Sequence, residues 1–346
     1  MVLYNLYITS ASLPPPISSV FTFSAAHACP ASVFASASSA SDENSNLKEV
    51  ALVLDYVLNT NHTGIYVAQE KGYFEDEGLK VNIIEPGDNN TSAALVAAGK
   101  GNFGVSYQED VTYARAAEEP MPIKAIATII QHNTSGFASL KDSGIESPAD
   151  FEGKTYAGWQ SPSEEAVIQA VMKAAGADPS TLTIVGADGS GVAQLNNGID
   201  LIWEFKGWAL TQAEMEGMSF NYIPLNSLDE RLDYYTPLII TNNDMIENDP
   251  ETVQAFINAV KKGYEYAIDN PDESAEILST YVPEYDLDFL KKSQEYLSQE
   301  YAKDAESWGV MKDSVWDGYT EFMLENGLIE KSIPASDQYT NQFIQA

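Results

Sequence analysis

Short apolar runs and longer amphipathic stretches alternate along the chain from about residue 48 onwards. Short runs rich in Val, Ile and Leu are typical of buried strands, whereas apolar residues about three or four positions apart are typical of helices. The pattern predicts strands at residues 50–54, 81–84, 103–106, 123–130, 155–157, 183–185, 201–204, 221–223 and 238–241. It predicts helices at residues 64–71, 92–98, 111–117, 164–175, 191–196, 209–215, 250–267, 271–281, 287–299 and 311–326. Repeated strand–helix units predict an α/β fold with largely parallel sheets and helices on both faces.

The strand–helix units form two series, and helical sequence dominates the C-terminal part of the chain. We therefore predict two lobes: residues 48–132 with 238–346 form the first lobe, and residues 133–237 form the second. The chain would cross between the lobes near residues 131–138 and return near residues 232–238. Two crossings make a natural hinge, so the cleft between the lobes is the expected ligand site.

The N-terminal segment has a composition of its own. Its first 41 residues contain no Asp, Glu, Lys or Arg, and a short apolar stretch precedes Ala- and Ser-rich sequence. We assign residues 1–47 to an export leader and flexible tether, although no basic residue marks its start. Cys29 lies where bacterial lipoproteins carry a lipidated cysteine, but the residues before it match that motif poorly. Lipidation of Cys29 and its removal with the leader both stay open.

Charge and cysteine content narrow the kinds of partner and site. The chain has 51 acidic and 18 basic side chains, which give a net charge of −33. Such a surface repels nucleic acid and anionic membranes, so neither is an expected partner, and a simpler role of the acidity is solubility. With Cys29 as the single cysteine, disulfides and cysteine-based metal sites are excluded from the mature domain.

Motifs of enzyme active sites are absent from the sequence. It contains no G-x-S-x-G elbow, H-E-x-x-H or Walker A motif. His62 and His132, the histidines of the mature domain, have no carboxylate at a recognised metal-ligand spacing. The glycine-rich residues 186–191 lack the lysine that a nucleotide site needs, and they indicate a strand-to-helix turn. We predict no enzymatic activity, no cofactor and no metal.

Residues 54–79 carry the most specific motif of the chain. They include Tyr56-Val57-Leu58-Asn59-Thr60-Asn61-His62-Thr63-Gly64, then Tyr66-Val67-Ala68 and Lys71-Gly72-Tyr73-Phe74. This stretch resembles the opening of solute-binding proteins of the NMT1/THI5-like group, which carry W/Y-x-P-N-x-x-H-x-G followed by Y-V-A-x-x-K-G-Y-F-x-x-E-G-L. Leu58 replaces the usual proline. Further segments resemble the branch that binds thiamine pyrimidine precursors, at residues 104–109, 132–136 and 158–165.

This resemblance implies a periplasmic binding protein-like fold of type II, with a mostly parallel, helix-flanked sheet in each lobe, two hinge crossings and a helical C-terminal tail. It implies a monomeric, extracytoplasmic component of an ABC importer that delivers its ligand to the transmembrane permease subunits. Membrane contact would come only through a lipid anchor. The implied ligand is an aminopyrimidine, either formyl-aminopyrimidine or hydroxymethylpyrimidine. A riboflavin-like precursor and an alkanesulfonate or nitrate are the alternatives, although the few arginines lie in no recognised anion-binding motif.

The same group includes a pyrimidine synthase, which consumes its own histidine and a lysine-bound pyridoxal phosphate. Its lysine and histidine stand in a G-x-K-x-x-x-H pattern, which places Ser106 and Asp110 of this chain at the two positions. The synthase's cysteine-rich run would fall near residues 234–240, where this chain has no cysteine. The resemblance therefore does not carry the synthase chemistry over to these residues.

Recognition of an aminopyrimidine needs aromatic faces, a carboxylate that accepts N–H bonds, and amide or hydroxyl partners. Such side chains cluster at the predicted strand-to-helix turns, where open α/β sheets bind small ligands. The candidates are Tyr56, Asn59, His62, Gln108, Glu109, His132, Ser135, Trp159, Ser161, Ser163, Trp203, Glu204 and Trp208. Structural alternatives are turn formation for Asn59, helix capping for His62 and core packing for the tryptophans.

Overall fold

The computed structural model describes residues 47–85, 87 and 90–344, so the predicted leader and Cys29 lie outside the described residues. Two five-stranded sheets organise the described part, with strand orders β2-β1-β3-β10-β4 and β7-β6-β8-β5-β9. The strands are β1 (Lys48–Val53), β2 (Leu79–Ile84), β3 (Phe103–Ser106), β4 (Ile123–Thr128), β5 (Ser135–Leu140), β6 (Thr155–Gly158), β7 (Thr183–Gly186), β8 (Leu201–Phe205), β9 (Phe220–Pro224) and β10 (Leu238–Asn242).

Helices flank both sheets and dominate the C-terminal part, as the sequence predicts. They are α1 (Thr63–Glu70), α2 (Tyr73–Asp76), α3 (Ser92–Ala97), α4 (Gln108–Ala116), α5 (Pro162–Ala174), α6 (Thr211–Met215), α7 (Asn243–Asn248), α8 (Pro250–Asp269), α9 (Pro271–Ser279), α10 (Leu287–Glu300), α11 (Asp313–Glu325) and α12 (Ala335–Gln338). A 3-10 helix at Thr60–His62 precedes α1, and a π-helix at Lys206–Leu210 precedes α6. None of the helices in the described ranges has the length and apolarity needed to cross a membrane.

Each sheet is mostly parallel and contains one antiparallel strand. In the first sheet β1 pairs in parallel with β2 and β3, while β10 runs antiparallel to β3 and β4. In the second sheet β6 pairs in parallel with β7 and β8, while β5 runs antiparallel to β8 and β9. The antiparallel strands are those that follow the passages between the sheets, at residues 129–134 and 225–237. This architecture confirms the predicted fold class.

Strand β5 was not predicted, because its sequence Ser-Gly-Phe-Ala-Ser-Leu contains no β-branched residue and several small ones. Tertiary pairing decides its conformation, since β5 lies between β8 and β9. A Cβ at Gly136 would lie 2.4 Å from the carbonyl oxygen of Ile223 on β9, so only glycine permits this approach. The predicted α-helix at residues 191–196 is a 3-10 helix. The lobe boundaries themselves stay a prediction.

The C-terminal helices pack into the cores of both sheets. Phe256 of α8 stacks on Phe103 of β3 with ring centroids 3.8 Å apart, in the core beneath the first sheet. Tyr319 and Phe322 of α11 are buried in the core beneath the second sheet, together with Phe137 of β5. The C-terminal part of the chain therefore contributes to the cores of both sheets.

Candidate functional site

Loops at the carboxyl ends of β1, β3, β6 and β8 collect the polar and aromatic side chains that the sequence analysis singled out. The carboxyl edge of an open α/β sheet is the usual place for a ligand. We call residues 55–62 and 106–110, at the end of the first sheet, the first wall. Residues 159–164 and 203–208, at the end of the second sheet, form the second wall. The two walls meet at Ser163, whose hydroxyl donates to Glu109 over 2.8 Å.

Asn59 and His62 form the turn that begins the first helix. The Asn59 side-chain oxygen accepts from the Asn61 N–H at 2.9 Å, and His62 Nδ1 accepts from the Asn59 N–H at 3.2 Å. Because Nδ1 is an acceptor, Nε2 carries the ring proton and donates to Asp55 Oδ1 at 2.7 Å. His62 is fully buried, and both ring nitrogens are bonded. The structural alternatives raised for these two residues, turn formation and capping, are the roles that this geometry gives them.

Asp55 accepts hydrogen bonds from two other residues of the first wall, His62 and Tyr107. Burial opposes its ionisation, but hydrogen bonds from His62 and Tyr107 outweigh that effect and hold the pKa of Asp55 below its ordinary value. Burial and then the Asp55 charge raise the pKa of Tyr107 well above its ordinary value, so this phenol stays protonated. Tyr56, next in sequence to Asp55, is 56% exposed and leaves an aromatic face open.

The two acidic residues at the start of α4 have different surroundings. Glu109 Oε1 accepts from Ser163, and Oε2 accepts from the Tyr319 hydroxyl at 3.1 Å, so both oxygens are bonded. Burial raises the pKa of Glu109 despite these two bonds. Burial also raises the pKa of Asp110 to about 7, with a further contribution from the charges of Glu109 and Asp55. The start of α4 thus holds one carboxyl group whose two oxygens are both bonded, Glu109, and one whose pKa is raised to about 7, Asp110.

Glu204, at the end of β8, is the carboxylate of the second wall with the fewest partners. It is partly buried, and burial raises its pKa to about 7. In the described part of the chain, only the backbone of Phe205 stabilises its charge by a hydrogen bond. A partly buried carboxyl group with so few donors around it is available to a ligand that brings its own N–H groups.

Glu164 shapes the loop that carries Trp159. Its Oε1 accepts from the Tyr156 hydroxyl at 2.5 Å and from the Trp159 N–H at 3.1 Å, and its Oε2 accepts from the Gln160 N–H at 2.6 Å. Gln160 lies at φ 58°, a left-handed conformation that is uncommon for a residue other than glycine. Ser161 caps α5 by accepting from the Glu164 N–H at 3.2 Å. The carboxylate therefore holds a strained loop in one shape.

Of the three tryptophans predicted to bind ligand, Trp159 is the exposed one. Trp159 is 56% exposed, and its ring lies 6.1 Å, centroid to centroid, from the ring of Trp203. Trp203 is itself buried and packs on Phe137. Trp208 packs against Tyr285 and Phe289, with centroids 5.0 and 4.7 Å away. Trp159 is thus the open aromatic face of the second wall.

Three further candidates, Gln108, His132 and Ser135, lie beside the passages between the sheets. Gln108 Oε1 accepts from the Tyr235 N–H at 2.9 Å. His132 Nδ1 lies 2.6 Å from Asp233 Oδ2, and this bond raises the pKa of His132 although burial opposes it. The Ser135 hydroxyl donates to Asn133 Oδ1 at 2.6 Å. These side chains join the passages, and their contact with a ligand stays a prediction.

Comparison with known proteins decides the family. The model of the NMT1/THI5-like family matches residues 59–274. The chain belongs to the NMT1/THI5-like family. It is 26% identical, over 87% of its length and 92% of the relative's, to the formylaminopyrimidine-binding protein of Halalkalibacterium halodurans. It is also 26% identical, over 87% of its length and 94% of the relative's, to the 4-amino-5-hydroxymethyl-2-methylpyrimidine phosphate synthase of Legionella pneumophila.

A solved structure has a similar fold. The periplasmic aliphatic sulphonate-binding protein SsuA of Escherichia coli superposes with a TM-score of 0.64, at 12% identity, over 84% of this chain and 91% of that one. At this identity the likeness concerns the fold alone. The fold of this NMT1/THI5-like protein is therefore that of the periplasmic binding proteins.

Family membership draws attention to Ser106 and Asp110, the positions that the synthase pattern assigns to lysine and histidine. The Ser106 hydroxyl donates to Asp110 Oδ2 at 3.3 Å, so the two positions are in contact within the first wall. Neither side chain carries an amine. Asp55, Tyr107, Asp110 and Glu164 were absent from the predicted site residues, although each of them stands within five residues after a predicted strand or on the first turn of the next helix. That position at a strand end was the signal that identified their neighbours.

Proposed function

We propose that this protein is an extracytoplasmic solute-binding protein of an ABC importer, and that it captures a thiamine pyrimidine precursor between the two walls. The observation that carries the proposal is that the second wall contains both an exposed aromatic residue, Trp159, and a partly buried, nearly unpartnered carboxyl group, Glu204. The relative that is named a formylaminopyrimidine-binding protein supports the same ligand class.

The chemistry of an aminopyrimidine suits these groups. Its flat ring stacks on the Trp159 indole, and its exocyclic N–H groups donate to the Glu204 carboxylate. The first wall then closes over the ring, with Tyr56 exposed and Tyr107 held by Asp55. Closure is driven by the difference between the ligand's affinities for the closed and the open arrangement. Delivery to a transmembrane permease would follow from the closed arrangement.

Anions fit the walls poorly. Asp55, Glu109 and Glu164 place carboxyl groups in or beside the candidate site, and the one lysine of the second wall, Lys206, is 2.5 Å from Glu214. A sulfonate or nitrate would therefore meet repulsion without a free cation. A synthase activity is the second candidate function, because relatives carry that name. It lacks an amine at Ser106 for a Schiff base.

A ligand screen tests the proposal directly. We expect formylaminopyrimidine at about 100-fold its dissociation constant to stabilise the full chain by about 2.7 kcal/mol. That stabilisation should raise the melting temperature by a few degrees for a chain of this size. The measurement is a thermal-shift series with formylaminopyrimidine, hydroxymethylpyrimidine, riboflavin, an alkanesulfonate and nitrate. A shift with riboflavin or an anion alone would replace the proposed ligand class.

Trp159→Ala provides the control for this screen. The indole is exposed, so its removal should leave the melting temperature of the unliganded protein within about one degree. We expect the shift with formylaminopyrimidine to be nearly lost in Trp159→Ala and intermediate in Trp159→Phe. An undiminished shift in both variants would show that the aminopyrimidine binds elsewhere.

The pH dependence of binding tests the role of Glu204. With a pKa of about 7 in the unliganded protein, the Glu204 carboxyl group is half protonated at neutral pH. A ligand that donates N–H bonds needs the ionised form. Affinity for formylaminopyrimidine should therefore rise with pH through 7, by at most about tenfold per pH unit, and level off above. Calorimetry from pH 6 to 8.5 should show this rise in the wild type and a flat, weaker profile in Glu204→Gln. A rise that persists in Glu204→Gln would assign the titration to another group.

A further inference from the structure

A hydrogen-bonded chain connects the two walls through helix α10. Ser293, on α10, donates its hydroxyl proton to the Gly207 carbonyl oxygen of the π-helix in the second wall. Because that proton is used, the Thr60 hydroxyl of the first wall is the donor in its 2.6 Å bond to Ser293 Oγ. Thr60 and Ser293 are both fully buried. One serine hydroxyl thus bonds simultaneously to loops that belong to different sheets.

The residues of this hydrogen-bonded series are closely packed. A Cβ at Gly207 would lie 3.0 Å from side-chain atoms of Leu297 and Tyr296, so α10 approaches the backbone of the π-helix closely. On the other side, the Tyr301 hydroxyl donates to the Thr60 carbonyl oxygen at 2.6 Å. Helix α10 and Tyr301, the residue that follows it, therefore contact both walls.

The π-helix adds a reason to assign function to this contact. Segments of π-helix are rare and often mark functional sites, because they displace the residues beside them. The π-helix begins two residues after Glu204, and its first N–H, from Lys206, donates to the Thr134 carbonyl oxygen in the passage between the sheets. Gly207, three positions after Glu204, is therefore linked to it through the backbone, and to the passage through the hydrogen bond of Lys206.

We propose that Ser293 is a positioning residue that ties both walls to α10 and sets how far apart they stand. This inference rests on the proposed function, since the distance between the walls matters only if a ligand is captured there. The side chain of Ser293 acts through Gly207 and Thr60 and does not itself touch the ligand.

Ser293→Ala tests the inference, with Ser274→Ala as the matched control. Ser274 lies on the adjacent helix α9, is equally buried, and its hydroxyl has no hydrogen-bond partner among the described residues. We expect Ser293→Ala to weaken binding of formylaminopyrimidine about tenfold, mainly through faster dissociation. The reason is that the buried hydrogen bonds of the Ser293 hydroxyl to Thr60 and Gly207 are lost. Thr60→Val should have a similar effect, and the double variant should be little worse than either single one. Ser274→Ala should change affinity by less than about twofold.

A measurement without ligand separates this inference from the proposed function. Spin labels at exposed Lys100 and Lys173, introduced as cysteines in a Cys29→Ser full chain, report the distance between the two sheets. We expect a broader or shifted distance distribution in Ser293→Ala and Thr60→Val, with Ser274→Ala like the wild type, while circular dichroism confirms that all variants fold. Distances identical to the wild type in both Ser293→Ala and Thr60→Val would overturn the role of Ser293. Failure of the wild type to bind any aminopyrimidine would instead overturn the proposed function.

Discussion

Glu164→Ala is expected to weaken aminopyrimidine binding strongly and to destabilise the protein. The Glu164 carboxylate is almost fully buried and accepts hydrogen bonds from Tyr156, Trp159 and Gln160. Its removal leaves the buried Tyr156 hydroxyl without a partner and frees a loop that contains a residue in a left-handed conformation. We expect the free energy of unfolding to fall by about 3 kcal/mol. Affinity for formylaminopyrimidine should fall about 100-fold, since the indole of Trp159 is no longer held in place.

Chemical denaturation and calorimetry check these two effects, and the neighbouring residue supplies the control. Glu165 is exposed on the first turn of α5, so Glu165→Ala removes the same charge with an expected change below about 0.5 kcal/mol. Glu164→Gln keeps one acceptor oxygen and should fall between the wild type and Glu164→Ala. Wild-type affinity in a folded Glu164→Ala would show that the Trp159 loop does not contact the ligand.

The strands and helices could largely be predicted because buried positions are mostly apolar, and the spacing of apolar positions differs between strands and helices. The predicted strand at residues 103–106 coincides with β3, where all four residues are buried. Strand β5 shows no such pattern, because its sequence contains small residues and no β-branched one, and the close approach of β9 requires glycine at position 136. Local propensity was overridden there by pairing with strands that lie far away in sequence.

The candidate site was only partly predictable for a related reason. Sequence pattern locates strand ends, and it therefore predicts Tyr56, Trp159 and Glu204 as candidate ligand contacts, which stay predictions. It does not show which polar groups satisfy one another across the fold. Ser163 and Glu109 are 54 positions apart in the sequence, and Thr60 and Ser293 are 233 positions apart. A candidate side chain that is bonded to such a partner supports the structure of the site. These pairs can be identified only once the tertiary contacts are known.

Asp110→Asn is expected to stabilise the protein at alkaline pH. Burial, with the charges of Glu109 and Asp55, raises the pKa of Asp110 to about 7 in the folded protein, whereas the unfolded chain ionises near its ordinary value of about 3.9. Between these two values the folded state retains a proton that the unfolded state has lost, so stability decreases as pH rises through this interval. Above pH 7 the destabilisation is complete. The amide avoids it, and we expect Asp110→Asn to gain about 1–3 kcal/mol more at pH 8 than at pH 5.

Urea denaturation at pH 5 and pH 8 measures this difference, with Asp142→Asn as the control. Asp142 is exposed on a 3-10 helix, so its replacement changes net charge equally without relieving a buried group. A gain of the same size at both pH values would mean that Asp110 does not titrate between them. A carboxyl group that lowers stability under working conditions is commonly retained for function. If Asp110→Asn also weakens formylaminopyrimidine binding, the first wall supplies a second ligand carboxylate opposite Glu204; unchanged affinity would leave ligand recognition to the second wall.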